Sequence, residues 1–158
     1  MPESENNTSG ELEQGNEERG QGDNQPDRHI TGNRAGLWQD LKSLMQSVVE
    51  RMNTVEELRN RTGGLEYQIG SADQIIVNNS STPAMSLTVS LHPSSIEICI
   101  TIEFQAPSLL KRETRQTLDI DEEMGHTLLR NIERQLLTVE EAVYQILRPF
   151  LHVGTISN

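Results

Sequence analysis

The chain has 158 residues, of which 34% are hydrophobic and only 3% aromatic, and its formal net charge is −11. One domain is the expectation at this length, with an aliphatic core confined to part of the chain. The negative charge argues against nucleic acid or an anionic membrane surface as the main partner, because a phosphate-binding footprint needs clustered Lys and Arg.

Cys99 is the single cysteine, which excludes an intramolecular disulfide and a cysteine-rich metal site. No apolar run approaches the length of a membrane span, and no apolar stretch follows a basic start, so neither a membrane helix nor a secretory signal is expected. These features predict a soluble protein of a reducing, cytoplasmic compartment. The Asn-x-Ser/Thr triplets at Asn7, Asn60, Asn78 and Asn79 are then read as chance.

In chain order, residues 1–34 read as a disordered acidic tail, with eight acids against three bases and almost no apolar side chain. Residues 35–154 read as the folded domain. From Ala35 to Arg61, Leu37, Leu41, Leu44, Val48, Met52, Val55 and Leu58 recur at three- and four-residue steps, the helical period. Asn33 is the expected N-cap, Thr54 with Glu57 forms a second capping box that predicts a break near Asn53, and Gly63-Gly64 is the stop. This stripe fits a coiled-coil seam less well than packing on a sheet, since Arg51 interrupts a strict heptad.

Two short strands follow, at Leu65–Ile69 and Gln74–Val77, and then a polar loop to Pro83. The clearest pattern of the chain lies in Ala84–Gln105. Apolar residues alternate through Met85, Leu87, Val89 and Leu91, then through Ile96, Ile98, Ile100, Ile102 and Phe104. Period two on both sides of His92-Pro93-Ser94-Ser95 predicts a hairpin in which Leu91 faces Ile96, Val89 faces Ile98, Leu87 faces Ile100 and Met85 faces Ile102. Its other face pairs Ser90 with Glu97, Thr88 with Cys99 and Ser86 with Thr101.

Residues 106–114 read as a loop or short helix, and Gln116–Ile120 as a short fifth strand. Asp119 with Glu122 is taken as the cap of a long C-terminal helical segment. Its stripe is Leu129, Ile132, Leu136, Val139, Val143, Ile146 and Phe150, divided near Leu137 by a capping box of Thr138 with Glu141. Pro149 is expected to kink it before Phe150 and Leu151, and Gly154 to end the fold. The resulting expectation is an α+β two-layer sandwich. An antiparallel meander of four or five strands is covered on one face by the N-terminal helix and a C-terminal helix pair.

This order of helix, strand meander and helices resembles the RWD-type interaction domains of eukaryotic adaptor and kinetochore proteins. The Tyr-Pro motif with a following proline that marks those domains has no counterpart here. The chain is similar, in size and acidity, to the small dimeric chaperones of bacterial secretion systems. Neither resemblance rests on a motif, and no family is assigned from them.

The residues themselves place no catalytic group. His29, His92, His126 and His152 lie far apart, without metal-ligand spacing around any of them. Asp119, Asp121, Glu122 and Glu123 read as a favourable helix start rather than a cation site. No catalytic residue, metal or cofactor is therefore assigned. The unassigned surface is the outward hairpin face of Ser86, Thr88, Ser90, Cys99 and Thr101, short and neutral where exposed sheet faces often carry Lys and Glu. The local basic cluster of Lys111, Arg112 and Arg115 is a second candidate contact, suited to an acidic partner. The expectation is a non-catalytic protein-interaction module, homo-oligomeric or part of a complex, that binds through its sheet face or edge. A ligand-binding protein or enzyme with a pocket between sheet and helices is the alternative, and a viral or phage accessory protein is a further one.

Overall fold

The computed structural model of the protein describes residues 33–104 and 110–152. The acidic segment before Asn33, the Pro107 loop and the Gly154 stop lie outside the described residues.

Helix α1 spans Arg34–Thr54. Its N-cap is Asn33, whose side-chain oxygen accepts from the Gly36 N–H at 2.8 Å, satisfying one of the donors that a helix start leaves free. Of the stripe read from the sequence, Leu37, Leu41 and Met52 are buried and Leu44, Val48 and Leu58 partly so, Val55 is exposed, and the buried face is completed by Trp38, Met45 and Val49. The break comes where expected, at extended Val55, after which α2 runs Glu56–Thr62. The capping box assigned to Thr54 and Glu57 does not form. Thr54 donates back to the Arg51 carbonyl at 2.7 Å, and Glu57 pairs instead with Arg61 one turn ahead. Gly63 closes α2 in the left-handed conformation, φ 73°.

The sheet has seven antiparallel strands, each paired with the next in sequence: β1 Leu65–Ser71, β2 Gln74–Asn79, β3 Ala84–Leu91, β4 Ser95–Phe104, β5 Leu110–Glu123, β6 His126–Arg130 and β7 Leu136–Leu137. The hairpin of β3 and β4 has the predicted register throughout, Leu91 with Ile96 through Met85 with Ile102 on one face, and Ser90 with Glu97 through Ser86 with Thr101 on the other. Ile75 and Val77 of β2 extend the apolar face, opposite Val89 and Leu87.

The second half of the chain corrects the sequence reading. The sheet holds seven strands rather than four or five, and the C-terminal helix pair is a single helix, α3, Val139–Leu151. Asp119 and Glu122 cap nothing; they lie within β5, which runs for 14 residues, far beyond the expected Gln116–Ile120. Met124 and Gly125 both take positive φ, 51° and 80°, and turn β5 tightly into β6. Leu129 and Leu136, assigned to a helical stripe, are paired strand residues. Ile132 lies in the turn between them and is 87% exposed. There Asn131 accepts from the Glu133 and Gln135 N–H groups, both at 2.9 Å. Aliphatic residues spaced by three and four here fell on strand, turn and strand.

The capping box of Thr138 with Glu141 does start α3, the Thr138 N–H donating to Glu141 at 2.8 Å and the Glu141 N–H to Thr138 at 3.1 Å. The helix continues through Pro149, and Phe150 and Leu151 belong to it. Pro149 falls in the last turn, where Leu147 and Phe150 are buried on either side of it and hold the chain in place.

Both long helices cover the apolar sheet face, and one cluster joins Leu37, Leu41 and Met45 of α1, Val143, Ile146 and Phe150 of α3, and Leu87, Ile96 and Ile98 of the hairpin. At roughly 1.5–3 kcal/mol for each fully buried aliphatic side chain, this face gives the fold its main stabilisation. The β1 end of the sheet is tied to α1. Trp38 donates its indole N–H to Ala72 at 2.8 Å, and Tyr67 its hydroxyl to the Lys42 carbonyl at 3.1 Å. Burial raises the Tyr67 pKa above that of an ordinary tyrosine. Asn53 both donates to and accepts from the Leu65 backbone, each at 2.8 Å. Asn53→Ala leaves both groups of Leu65 without that partner, and a loss of about 1–3 kcal/mol in unfolding free energy is expected, read from urea denaturation midpoints.

Candidate functional site

The sheet face turned away from the helices begins with the neutral residues of the hairpin. Ser86, Thr88, Ser90, Cys99 and Thr101 lie half-buried side by side on it, as period two requires once Leu87 and Ile100 point into the core. Asn78, Ile76 and Gln74 of β2 continue it, opposite Ser86, Thr88 and Ser90. Gln74 donates to Ser90 at 3.4 Å, and a shallow cavity of about 220 Å³ opens near Ser86, Thr101 and Glu103.

On the other side the face runs onto β5, where Lys111 lies opposite Glu103, Glu113 opposite Thr101, and Arg115 opposite Cys99. Arg115 bonds Glu113 at 3.0 Å and Glu97 at 3.4 Å, and the paired carboxylate of Glu113 raises its pKa further. The basic cluster of the sequence is thus divided. Lys111 and Arg115 join the neutral face, whereas Arg112, opposite Ile102, projects from the helix-covered side.

β5 is only half covered along its edge. β4 pairs with it from Asp119 down to Leu110, but β6 takes up only Asp119 to Glu123 on the far side. Among the described residues, no strand flanks Leu110–Leu118 there. The Ile120 N–H donates to Ser94 at 2.9 Å, beside β4. Backbone groups alternate sides along an antiparallel strand, so the even-numbered residues of β5 serve β4, and Lys111, Glu113, Arg115 and Thr117 turn their N–H and C=O groups to the open edge. Every residue from Leu110 to Thr117 is exposed.

Beside this edge lies a groove against α3. A cavity of about 360 Å³ has Thr117, Leu118, Ile132, Gln145 and Arg148 among its walls. Gln145 and Arg148 are shared with neighbouring hollows of about 430 Å³ toward Tyr144 and about 310 Å³ toward His152. The side-chain oxygen of Gln145 is buried and has no hydrogen-bond partner among the described residues. The β5 edge and the Gln145 groove were not read from the sequence. The one available signal was the unexplained charge pattern of residues 111–115.

Among the described residues, no three His, Cys, Asp or Glu side chains gather in a metal-holding group, and no helix is long and apolar enough to cross a membrane. Two acids of the sequence cluster are engaged by arginines: Arg130 bonds Asp121 at 2.9 Å and Arg134 bonds Asp119 at 2.8 Å. Compared with protein-family models, with curated proteins and with solved structures, the chain finds no match.

Proposed function

We propose that the chain is a non-catalytic protein-interaction module that presents a partner with its neutral sheet face and the open edge of β5. The observation that carries this reading is the edge itself. Lys111, Glu113, Arg115 and Thr117 offer in a row main-chain donors and acceptors that no strand takes up among the described residues, the arrangement by which an extended segment adds to a sheet. The neutral face adjoins that row, and its short side chains leave a flat surface. The space between helices and sheet, where a substrate pocket was the alternative, is filled by Leu37, Leu41, Ile96, Ile98, Val143 and Phe150, which favours binding at the surface.

The double variant Thr88→Lys, Thr101→Lys tests the face. Lysines at open-face positions keep their ammonium groups in water, so thermal unfolding is expected to change little. Affinity capture from the native extract with the full chain is expected to lose the partner recovered with wild type. An unchanged set of captured proteins contradicts use of this face.

A further inference from the structure

We propose that the open edge of β5 is completed by β5 of a second copy of this chain, the two strands pairing antiparallel about a twofold axis at Thr114; this rests on the interaction reading above. Such a contact is isologous, and the segment Leu110–Leu118 is centred on Thr114, so it fills its own slot from end to end. In this register Glu113 lies opposite the partner's Arg115, and Arg115 opposite the partner's Glu113. Lys111 faces the partner's Thr117, Arg112 the partner's Gln116, and Leu110 the partner's Leu118.

Neighbouring registers are worse. A twofold at Glu113 or Arg115 sets that residue against its own copy, one at Arg112 opposes two guanidinium groups, and one at Gln116 places Glu113 against the partner's Asp119. Like charges directly opposite on a sheet are destabilising, so the charges of this edge disfavour those four arrangements and favour the one centred on Thr114. The backbone agrees. Thr114 turns its own N–H and C=O to β4, so on the open side it sits at a non-hydrogen-bonded position, where an antiparallel twofold can pass. Glu113 with the partner's Arg115, and Lys111 with the partner's Thr117, then form the hydrogen-bonded pairs.

The groove supports the same occupant. Leu110 is 59% exposed in the single chain, and Ile132 87%. Leu118 lies in the wall of the cavity of about 360 Å³ beside Ile132 and Gln145, so the partner's Leu110, opposite Leu118, enters it. The partner's Arg112, opposite Gln116, brings N–H donors next to the Gln145 oxygen that has none among the described residues. Two monomer features without an internal explanation, an exposed leucine and an orphaned acceptor, are both answered by the second copy.

The test uses the full chain. Wild type is expected to sediment as a dimer. Thr114→Cys in a Cys99→Ser background is expected to form an intermolecular disulfide under mild oxidation, because residues opposite at a non-hydrogen-bonded position have Cα atoms about 4.5 Å apart, within the disulfide range. Glu113→Arg is expected to weaken the dimer about tenfold or more, and adding Arg115→Glu to restore it. All four residues involved are surface or half-buried, and circular dichroism confirms that the variants fold. A monomer at every attainable concentration, or a dimer that Thr114→Cys does not cross-link, overturns the proposal. A monomer whose captured partner is still lost on Thr88→Lys, Thr101→Lys overturns the self-pairing alone and leaves the interaction reading standing.

Discussion

Leu87→Ala is expected to lower the unfolding free energy by about 2–5 kcal/mol, among the largest effects of any single substitution in the chain. Leu87 is 0% exposed, in an interior strand between Val77 of β2 and Ile100 of β4, both themselves buried. Three carbons are lost there, a methine and its two methyl groups, and neighbours locked on both sides collapse only partly into the space. For a chain of this size the change corresponds to a drop of about 4–20 °C in Tm, read by differential scanning calorimetry. Thr88→Ala, one residue on, is the matched control. It lies on the open face, and a change within about 1 kcal/mol is expected. Because a one-residue slip exchanges the two faces, equal losses for the two substitutions contradict the register of the hairpin.

Gly63→Ala is expected to cost more than about 2 kcal/mol, from two separable sources. Gly63 has φ 73°, where an alanine pays about 1–2 kcal/mol for the left-handed conformation. A Cβ there also meets the Ser80 carbonyl carbon and the Ser81 nitrogen at 2.8 Å, and both belong to backbone. That backbone has little room to yield, since the Ser80 and Ser81 N–H groups both donate to the Thr62 carbonyl, at 3.0 and 2.9 Å. Gly64 separates the terms. Its φ is 98°, but a Cβ there finds nothing within 4 Å, so Gly64→Ala carries strain without collision. The difference between the two variants in chemical denaturation measures the clash, and Gly63→Ala is expected to be the more damaging. Equal losses mean that the Ser80–Ser81 backbone does not press on Gly63.

How far the sequence predicted this molecule follows from how strongly burial marks each segment. β3 and β4 bury one face and leave the other open, so alternation through Met85–Leu91 and Ile96–Phe104 specified both strands and their register. α1 buries a single stripe, and its period was equally plain. β5 carries no such mark, because neither face of Leu110–Thr117 is covered. Its order comes from the backbone ladder to β4, which has no side-chain signature. β6 failed for the opposite reason. Leu128 and Leu129 are both buried, which erases alternation, and the turn before it uses Met124 at positive φ where Asn or Asp is the usual cue. The neutral face was legible as the complement of the hairpin core. The open edge was not, since it exists only because β6 stops at Asp119, a fact of pairing rather than of composition.

The open stretch of β5 is treated differently from the β1 end of the sheet. At β1, Asn53 and Trp38 bind the strand and its turn to α1. Along Leu110–Leu118 of β5, no described strand pairs with the edge, and many of the side chains there are charged. Charges on an edge strand normally discourage pairing. In the self-pairing proposed above, they set like against like at the twofolds centred on Arg112, Glu113, Arg115 and Gln116, and opposite against opposite at the one centred on Thr114.

Amide hydrogen exchange along β5, followed in the full chain across a dilution series, tests the role of this edge most directly. The N–H groups of Arg112, Thr114 and Gln116 face β4 and are expected to stay protected at every concentration. Those of Lys111, Glu113, Arg115 and Thr117 are expected to be protected in concentrated protein and to exchange freely on dilution. Rapid exchange of these four at all concentrations contradicts an edge closed by a second copy.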